Sequence, residues 1–472
     1  MCGVFGAFNV ENAATHTYWG LYTLQHRGQE SAGICSTDGK SFYLVKKPGR
    51  VLEALNKEDL KKLKGKSAIG HVRYSTAGDI GGTNAQPILA QTSKGEFALA
   101  HNGNLTNFQI LRKELTDQGV VFKYTSDSEV FVHLIDTSSG WVPENLQLHP
   151  RDEDFLPYLF DALRQVEGAY SILILTKDKL IAARDPYGFR PLELGRNNQS
   201  WFVASESPAF DIVGATFKRE IKPGEVVVID KEGLRSYFPF RDRNTRRAFC
   251  IFELIYFARP DSYIFGDWVY EVRKRLGRQL AKEVKGKIDV DVVVPVPDSG
   301  IVPTIGFSQE FGVPMELGLI RNHYVGRSFI EPTQELRDLK VLMKLSPVRP
   351  VLEGKRVAII DDSLVRGTTS RRIVKMLKKA GAKEVHVLIA SPPVISPCYY
   401  GIDIPTKEEL IANQMDLEGI KNHIGADSLH YLSVEGMLKA VKGSPNDYCT
   451  ACFTGDYPTP ITHLSEKNKN NT

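Results

Sequence analysis

Beyond residue 247 the spacing of apolar residues changes period, and that change dictates what each half of the chain can fold into. Upstream, residues 1–240 carry short runs rich in Val, Ile, Phe and Tyr, broken by Gly, Asn and Asp turns. The runs at 41–46, 97–101, 170–176, 201–204 and 225–230 read as strands. Helical spacing interrupts them at 16–27, 105–118 and 154–166, so this half is mixed α+β with antiparallel pairing. Downstream, a helical pattern over 269–285 precedes a continuous apolar run at 290–296, suited to a strand buried on both faces. A second such run at 357–360, a helix over 369–380 and a strand at 384–390 make a βαβ unit, which requires a parallel sheet. The charged segment RDRNTRR at 241–247 separates the two patterns. The expected domains are therefore 2–240 and 241–465, followed by a polar, disordered tail at 466–472.

Composition narrows the function classes. Hydrophobic residues make up 42% and charged residues 25% of the 472 positions, as in an ordinary soluble protein. A formal net charge of +4 is small for this length and argues against a dedicated nucleic-acid binder. No apolar run approaches the ~18 residues of a membrane helix, and no basic-then-apolar leader opens the chain. A cytoplasmic protein is expected. Six cysteines are too few for a disulfide scaffold at this length, which turns attention to catalysis or metal binding.

Cys2 follows the initiator methionine in MCGVFG. Once its nitrogen is free, an α-amine with a reference pKa of about 7.7–8.0 can take the proton from the thiol of the same residue. Nucleophile and base then need no histidine. With Met1 attached that nitrogen is an amide, so the chain as written is a precursor, matured by methionine removal or from a longer form. Four later segments suit a thiolate attacking an amide carbonyl. HRGQESAG at 26–33 and GHVRYSTAG at 70–78 each set an arginine among small residues. HNGNLT at 101–106 offers the Asn102 amide and the Gly103 N–H, the two donors of an oxyanion hole. Arg73 and the carboxylates of SDSE at 126–129 suit the carboxylate and ammonium of a free amino acid.

In the second half, VAIIDDSLVRGTTS at 357–370 reads as a buried strand, an acidic pair at its carboxyl end, and a turn that opens a helix. Ligands of open α/β sheets bind outside the carboxyl ends of strands. Free N–H groups at the helix start, with the Thr368 and Thr369 hydroxyls, form a phosphate cradle. Asp361 and Asp362 can accept from vicinal ribose hydroxyls. PDSG at 297–300 follows another buried strand and suits pyrophosphate. Residues 321–349 carry many cations and little regular pattern, as a closing loop does. Cys250, Cys398 and the CxxC pair Cys449 and Cys452 leave zinc, an iron–sulfur cluster and a redox pair open on spacing alone. Cys35 reads as a small buried hydrophobe.

The segments MCG, HRGQESAG, RYST, HNGNL and SDSE, in that order, resemble the glutaminase domain of class II glutamine amidotransferases, and DPYGFRPL at 185–192 with SES at 205–207 extends the likeness. The resemblance implies an αββα N-terminal nucleophile hydrolase fold, with Cys2 as nucleophile and base and Asn102 with Gly103 as oxyanion hole. It also implies Arg73 and Asp127 as clamps on L-glutamine. Residues 357–370 resemble the phosphoribosyl pyrophosphate (PRPP) motif of type I phosphoribosyltransferases, an α/β fold. That likeness implies PRPP contacts at Asp361, Asp362, Ser363, Arg366, Gly367, Thr368 and Thr369, joined by Asp298 and Ser299. Tyr324, Arg327 and Lys344 of the closing loop would meet the leaving pyrophosphate, and Ser299, Asp361 and Asp362 would hold Mg²⁺.

The sequence around the four cysteines resembles the iron–sulfur branch of the amidophosphoribosyltransferase family. A structural [4Fe–4S] cluster at Cys250, Cys398, Cys449 and Cys452 is implied, with zinc as the alternative. So is transfer of ammonia from glutamine to C1 of PRPP, giving 5-phosphoribosylamine, glutamate and pyrophosphate, the first step of de novo purine synthesis. A homotetramer inhibited by purine nucleotides completes the expectation. Two other readings are a PRPP-sensing regulator and a different class II amidotransferase. Intact Cys2, Arg73, Asn102 and Asp127 argue against the first, and residues 361–370 against the second.

Overall fold

The strand Gly3–Phe8 contains no charged residue, and the fold buries all of it at the middle of a seven-stranded sheet. The computed structural model describes residues 1–74, 84–241, 245–322 and 345–461. Gly3–Phe8 runs antiparallel to Ser67–Arg73 on one side and to Ser200–Ala204 on the other. A second, six-stranded antiparallel sheet includes Gly95–Leu105, Gly168–Leu175, Leu180–Arg184 and Val226–Asp230. Alternate side chains of the two sheets meet in one apolar layer, with Val4, Cys35 and Ile69 facing Ala98, Leu173, Ala182 and Val227. Ala13–Thr23 covers the outer face of the first sheet. Phe108–Asp117, Ser128–Thr137 and Leu156–Gln165 cover the outer face of the second. The αββα layering expected from the motifs is present.

Two details differ from the pattern reading. The helix expected from 105 starts at Phe108, because Gly95–Leu105 continues as an eleven-residue strand paired with Gly168–Leu175. Ser128–Thr137, read only as a source of carboxylates, is a helix whose inner face is buried. Cys35 is fully buried between the sheets, and burial pushes its thiol up to about 12.

The second half is a four-stranded parallel sheet in the order Val292–Pro295, Arg356–Asp361, Glu384–Ile389, Ser428–Tyr431. Thr368–Lys379 links the second and third strands, as the βαβ spacing requires. Val269–Val284 and Ile301–Phe311 pack against each other at glycine contacts. A Cβ on Gly277 would stand 1.8 Å from the Pro303 carbonyl oxygen, and one on Gly306 would stand 1.9 Å from that of Lys274. The halves are joined where Ala248 and Cys250 donate N–H bonds to Tyr187 (2.8 Å) and Phe189 (3.2 Å), and where the Phe189 and Tyr400 rings stack at 4.1 Å. Tyr324, Arg327 and Lys344, and the tail 466–472, lie outside the described residues.

Both glycine contacts are backbone contacts that no side-chain rotation relieves. Gly277→Ala and Gly306→Ala should each destabilise the second domain by about 1–3 kcal/mol, read as a lowered midpoint in urea unfolding.

Candidate functional site

Antiparallel pairing brings the start of one strand to the end of its neighbour, and this is how residue 2 acquires its surroundings. Gly3 pairs with Val72, so Cys2 lies beside Arg73 at the end of Ser67–Arg73. The same end of the second sheet presents Asn102 and Gly103 within Gly95–Leu105. The Cys2 N–H donates to Asn102 Oδ1 at 3.3 Å, and Cys2 Sγ lies 3.6 Å from the Tyr74 carbonyl oxygen. Because its oxygen is engaged there, the Asn102 amide turns Nδ2 away. That buried Nδ2 has no hydrogen-bond partner among the described residues, which is the state an oxyanion donor must have before an oxyanion forms. Gly103 has φ +154°, and a Cβ there would stand 2.0 Å from the Ala169 carbonyl oxygen, so glycine is required at this position.

Arg73 and Asp127 are both buried and both act electrostatically on the Cys2 thiol. Asp127 accepts from the Leu105 N–H at 2.9 Å, and His101 Nδ1 stands 3.8 Å from it. Burial raises the pKa of the Cys2 thiol, while the α-amine at the chain start and the Tyr74 backbone bond act to lower it. Burial also lowers the Met1 α-amine to about 5.

The carboxyl ends of the parallel strands open on a cavity of about 760 Å³ whose walls include Asp298, Ser299, Asp361, Asp362 and Ser363. Arg366, Gly367, Thr368 and Thr369 also line it. Gly367 takes φ +74° as the residue before Thr368–Lys379, and Thr368 and Thr369 at the start of that helix line the cavity. The Asp361 carboxyl is pushed well above the usual carboxylate range by burial and by the charge of Asp362 beside it. Asp298 pairs with Arg321, and Arg366 pairs with Glu409 at 2.7 Å on the exposed rim. Met1 and Tyr74, the neighbours of Cys2, belong to the wall of this same cavity. Tyr74 also donates its hydroxyl to Asp403 at 2.9 Å across the domain boundary.

The four remaining cysteines are free thiols drawn together from distant parts of the chain. Cys250 and Cys449 are register partners on short parallel strands, and the Cys452 carbonyl accepts from the Ile395 and Ser396 N–H groups just before Cys398. Burial raises the Cys452 thiol, and the charges of Cys250, Cys449 and Cys398 raise it further. Among the described residues, no group of three or more His, Cys, Asp or Glu side chains is placed to hold a metal ion. Pattern reasoning missed Glu206, Glu253 and Arg190, three fully buried charges between the domains. Their only sequence signal is membership of the segments 185–192 and 205–207 and of the sequence around Cys250, because a buried charge has the same letter as a solvated one.

Comparison with known proteins agrees with this geometry. A glutamine amidotransferase domain model matches residues 71–211, and a phosphoribosyl transferase domain model matches residues 270–391. The chain is 50% identical over 465 residues to the amidophosphoribosyltransferase of Bacillus subtilis strain 168, covering 98% of this chain and 94% of that one. It is 48% identical over 480 residues to that of Methanocaldococcus jannaschii, covering 98% of each. The structure is similar to that of the glutamine PRPP amidotransferase from B. subtilis complexed with ADP and GMP, with a TM-score of 0.88, 50% identity and 98% coverage of both chains.

An alanine at Gly367 would carry about 1–2 kcal/mol of left-handed strain and would crowd Ile411 Cδ1 at 2.6 Å. Gly367→Ala should weaken phosphate binding on the order of tenfold, measured by calorimetric titration with inorganic phosphate.

Proposed function

The chain belongs to the amidophosphoribosyltransferase family, and we propose that Cys2 and the cavity at Asp361 are its two reaction centres. It is a glutamine-dependent transferase that makes 5-phosphoribosylamine from PRPP, the activity named for relatives about half identical over nearly the whole chain. One observation carries the assignment of centres: Met1 and Tyr74, which flank the nucleophile, are also wall residues of the phosphate cavity. Product released at the first centre therefore emerges beside the second. The domain limits 2–240 and 241–465 accompany this reading.

At the first centre the Cys2 Sγ attacks the glutamine carboxamide carbon while the freed α-amine takes the thiol proton. Asn102 Nδ2 and the Gly103 N–H receive the oxyanion. Arg73 and Asp127 hold the amino-acid carboxylate and ammonium. Collapse of the tetrahedral adduct expels ammonia, and water then hydrolyses the thioester to glutamate. At the second centre Asp361 and Asp362 hold the ribose hydroxyls. Ser363, Arg366, Gly367, Thr368 and Thr369 hold the 5-phosphate, and Asp298 and Ser299 hold the pyrophosphate. Tyr324, Arg327 and Lys344 are assigned to the leaving group from the sequence alone. Neutral ammonia is itself the nucleophile at C1, so no strong protein base is needed. A route shielded from bulk water keeps it unprotonated.

The oxygen donors Ser299, Asp361 and Asp362 fit Mg²⁺, since two adjacent carboxyl groups beside a hydroxyl on one cavity wall favour a hard cation. When bound, Mg²⁺ neutralises the departing pyrophosphate. Four free, mainly buried thiols, two of them in register on short parallel strands, have the donor chemistry of a thiolate-bound centre. We assign them to a structural [4Fe–4S] cluster, with zinc as the alternative, and no electron is required of it. A cytoplasmic homotetramer inhibited by purine nucleotides completes the proposal, and the relative solved with ADP and GMP supports the inhibition.

Glutamine-dependent pyrophosphate release should vanish in Cys2→Ala and survive with ammonia as donor; survival with glutamine would refute the assignment of Cys2. Asn102→Ala should lower the glutamine kcat by about 10²–10³ with the ammonia reaction retained. Iron and sulfide analysis with an anaerobic absorption spectrum decides the cysteine centre, about four irons per chain being expected and a zinc-only protein contradicting the cluster.

A further inference from the structure

Arg27 is fully buried next to the nucleophile, and each of its donors has an assignment. Nε donates to the Cys2 carbonyl oxygen at 3.0 Å. Nη1 pairs with Glu206, and Nη2 reaches Glu253 Oε1 at 2.7 Å, with Glu253 Oε2 at 3.2 Å from Nη1. Glu253 is supplied by the second domain, on the π-helical turn Glu253–Phe257 three residues after Cys250. Arg190 Nη1 backs it at 3.4 Å, while Arg190 Nε donates to the Tyr400 carbonyl at 2.9 Å. Glu206 is likewise held from the second domain, accepting from the Arg259 N–H at 2.8 Å and from the Ser262 hydroxyl.

The carbonyl bond matters because Cys2 becomes a terminal residue on maturation. A terminal residue has no preceding peptide plane to restrain it, so what grips its nitrogen and its carbonyl aims its thiol, beside the Tyr74 carbonyl that Sγ meets at 3.6 Å. Asn102 grips the nitrogen at 3.3 Å and Arg27 grips the carbonyl at 3.0 Å. The Arg27 contact to Met1 Sδ, 3.7 Å, leaves with Met1, whereas the fork to Glu253 remains.

We propose that Glu253, a side chain of the phosphoribosyltransferase domain, is a positioning residue for the glutaminase nucleophile, acting through Arg27 on the Cys2 carbonyl. The proposal rests on the reading of Cys2 as the glutamine nucleophile. It makes the aim of the thiol in one domain depend on a carboxylate of the other, without Glu253 touching glutamine.

The test compares glutamine-dependent and ammonia-dependent product formation on the same preparations of mature full-length protein carrying Glu253→Gln, Glu253→Asp or Cys2→Ala. The ammonia reaction does not use Cys2, so loss of folded protein lowers both rates alike and leaves their ratio unchanged. Glu253→Gln should lower the glutamine kcat about tenfold or more while the glutamine KM, set by Arg73 and Asp127, stays within about twofold. Glu253→Asp keeps the charge but retracts the carboxylate; it should shift the ratio in the same direction and supplies the measurement if Glu253→Gln does not fold. A ratio within about twofold of the parent in the folded variants, or a loss expressed through KM alone, overturns the proposal. If Cys2→Ala abolishes the glutamine reaction while the Glu253 ratio is unchanged, this inference alone fails. If the glutamine reaction survives in Cys2→Ala, the reading beneath it fails as well.

Discussion

The arrangement of both sites depends on four fully buried charges at the domain boundary: Arg27, Arg190, Glu206 and Glu253. Burying one ionised group without its partner costs about 3–5 kcal/mol, a large part of the ~5–15 kcal/mol that holds a domain folded. The four are compatible with burial because cation and anion alternate. Burial alone would lower the proton affinity of Arg27, but the charges of Glu253 and Glu206 more than reverse this. For Glu206, burial acts to raise the pKa, and His26 and Arg27 hold it well below the usual carboxylate range. Both groups therefore stay ionised at neutral pH. Because Glu253 comes from the second domain and Arg27 from the first, the pairing fixes the register of one domain on the other.

Around that pairing the fold solves the problem of anchoring a chain terminus. Termini usually fray, yet this one enters the middle strand of a seven-stranded sheet and is paired on both sides from Gly3 onward. The second sheet lies against it across the Val4, Ile69, Leu173 and Val227 layer and brings Asn102 and Gly103 to the same end. Cys2, immediately before Gly3–Phe8, and Asn102 with Gly103, within Gly95–Leu105, are thus held by strands instead of loops. The second site uses the opposite economy. The phosphate and ribose contacts proposed for it lie on short turns after Val292–Pro295 and Arg356–Asp361, at the carboxyl ends of parallel strands.

Much of this was legible in the chain. The alternation of short β-rich runs up to residue 240 and the βαβ period after 269 correspond to the two sheets and to the parallel sheet, and the boundaries mostly agree within a few residues. The segment 357–370 reads correctly because its strand, acidic pair and helix start are contiguous, so local periodicity places them. Two helix boundaries were less legible. Leu105 continues a strand because its partner Gly168 is more than sixty residues away, and pairing there outweighs the local helical spacing. Ser128–Thr137 carries its apolar face beside SDSE, whose carboxylates attract a functional reading before a structural one.

Cys2, Asn102 with Gly103, the acidic pair at 361–362 and the Gly367 turn are legible in the sequence itself, because each draws its chemistry from covalent neighbours: a thiol directly before an uncharged strand, an amide next to a glycine, carboxylates at a strand end. Only the tertiary structure decides that Met1 and Tyr74 line the cavity of Asp361. It likewise decides that Cys250 pairs in register with Cys449, and that Arg27 meets Glu206 and Glu253 across 179 and 226 residues of chain. A charged letter carries no mark of whether it is solvated or buried. That difference arises only when two distant surfaces close over it and exclude water, leaving the opposite charge as its partner.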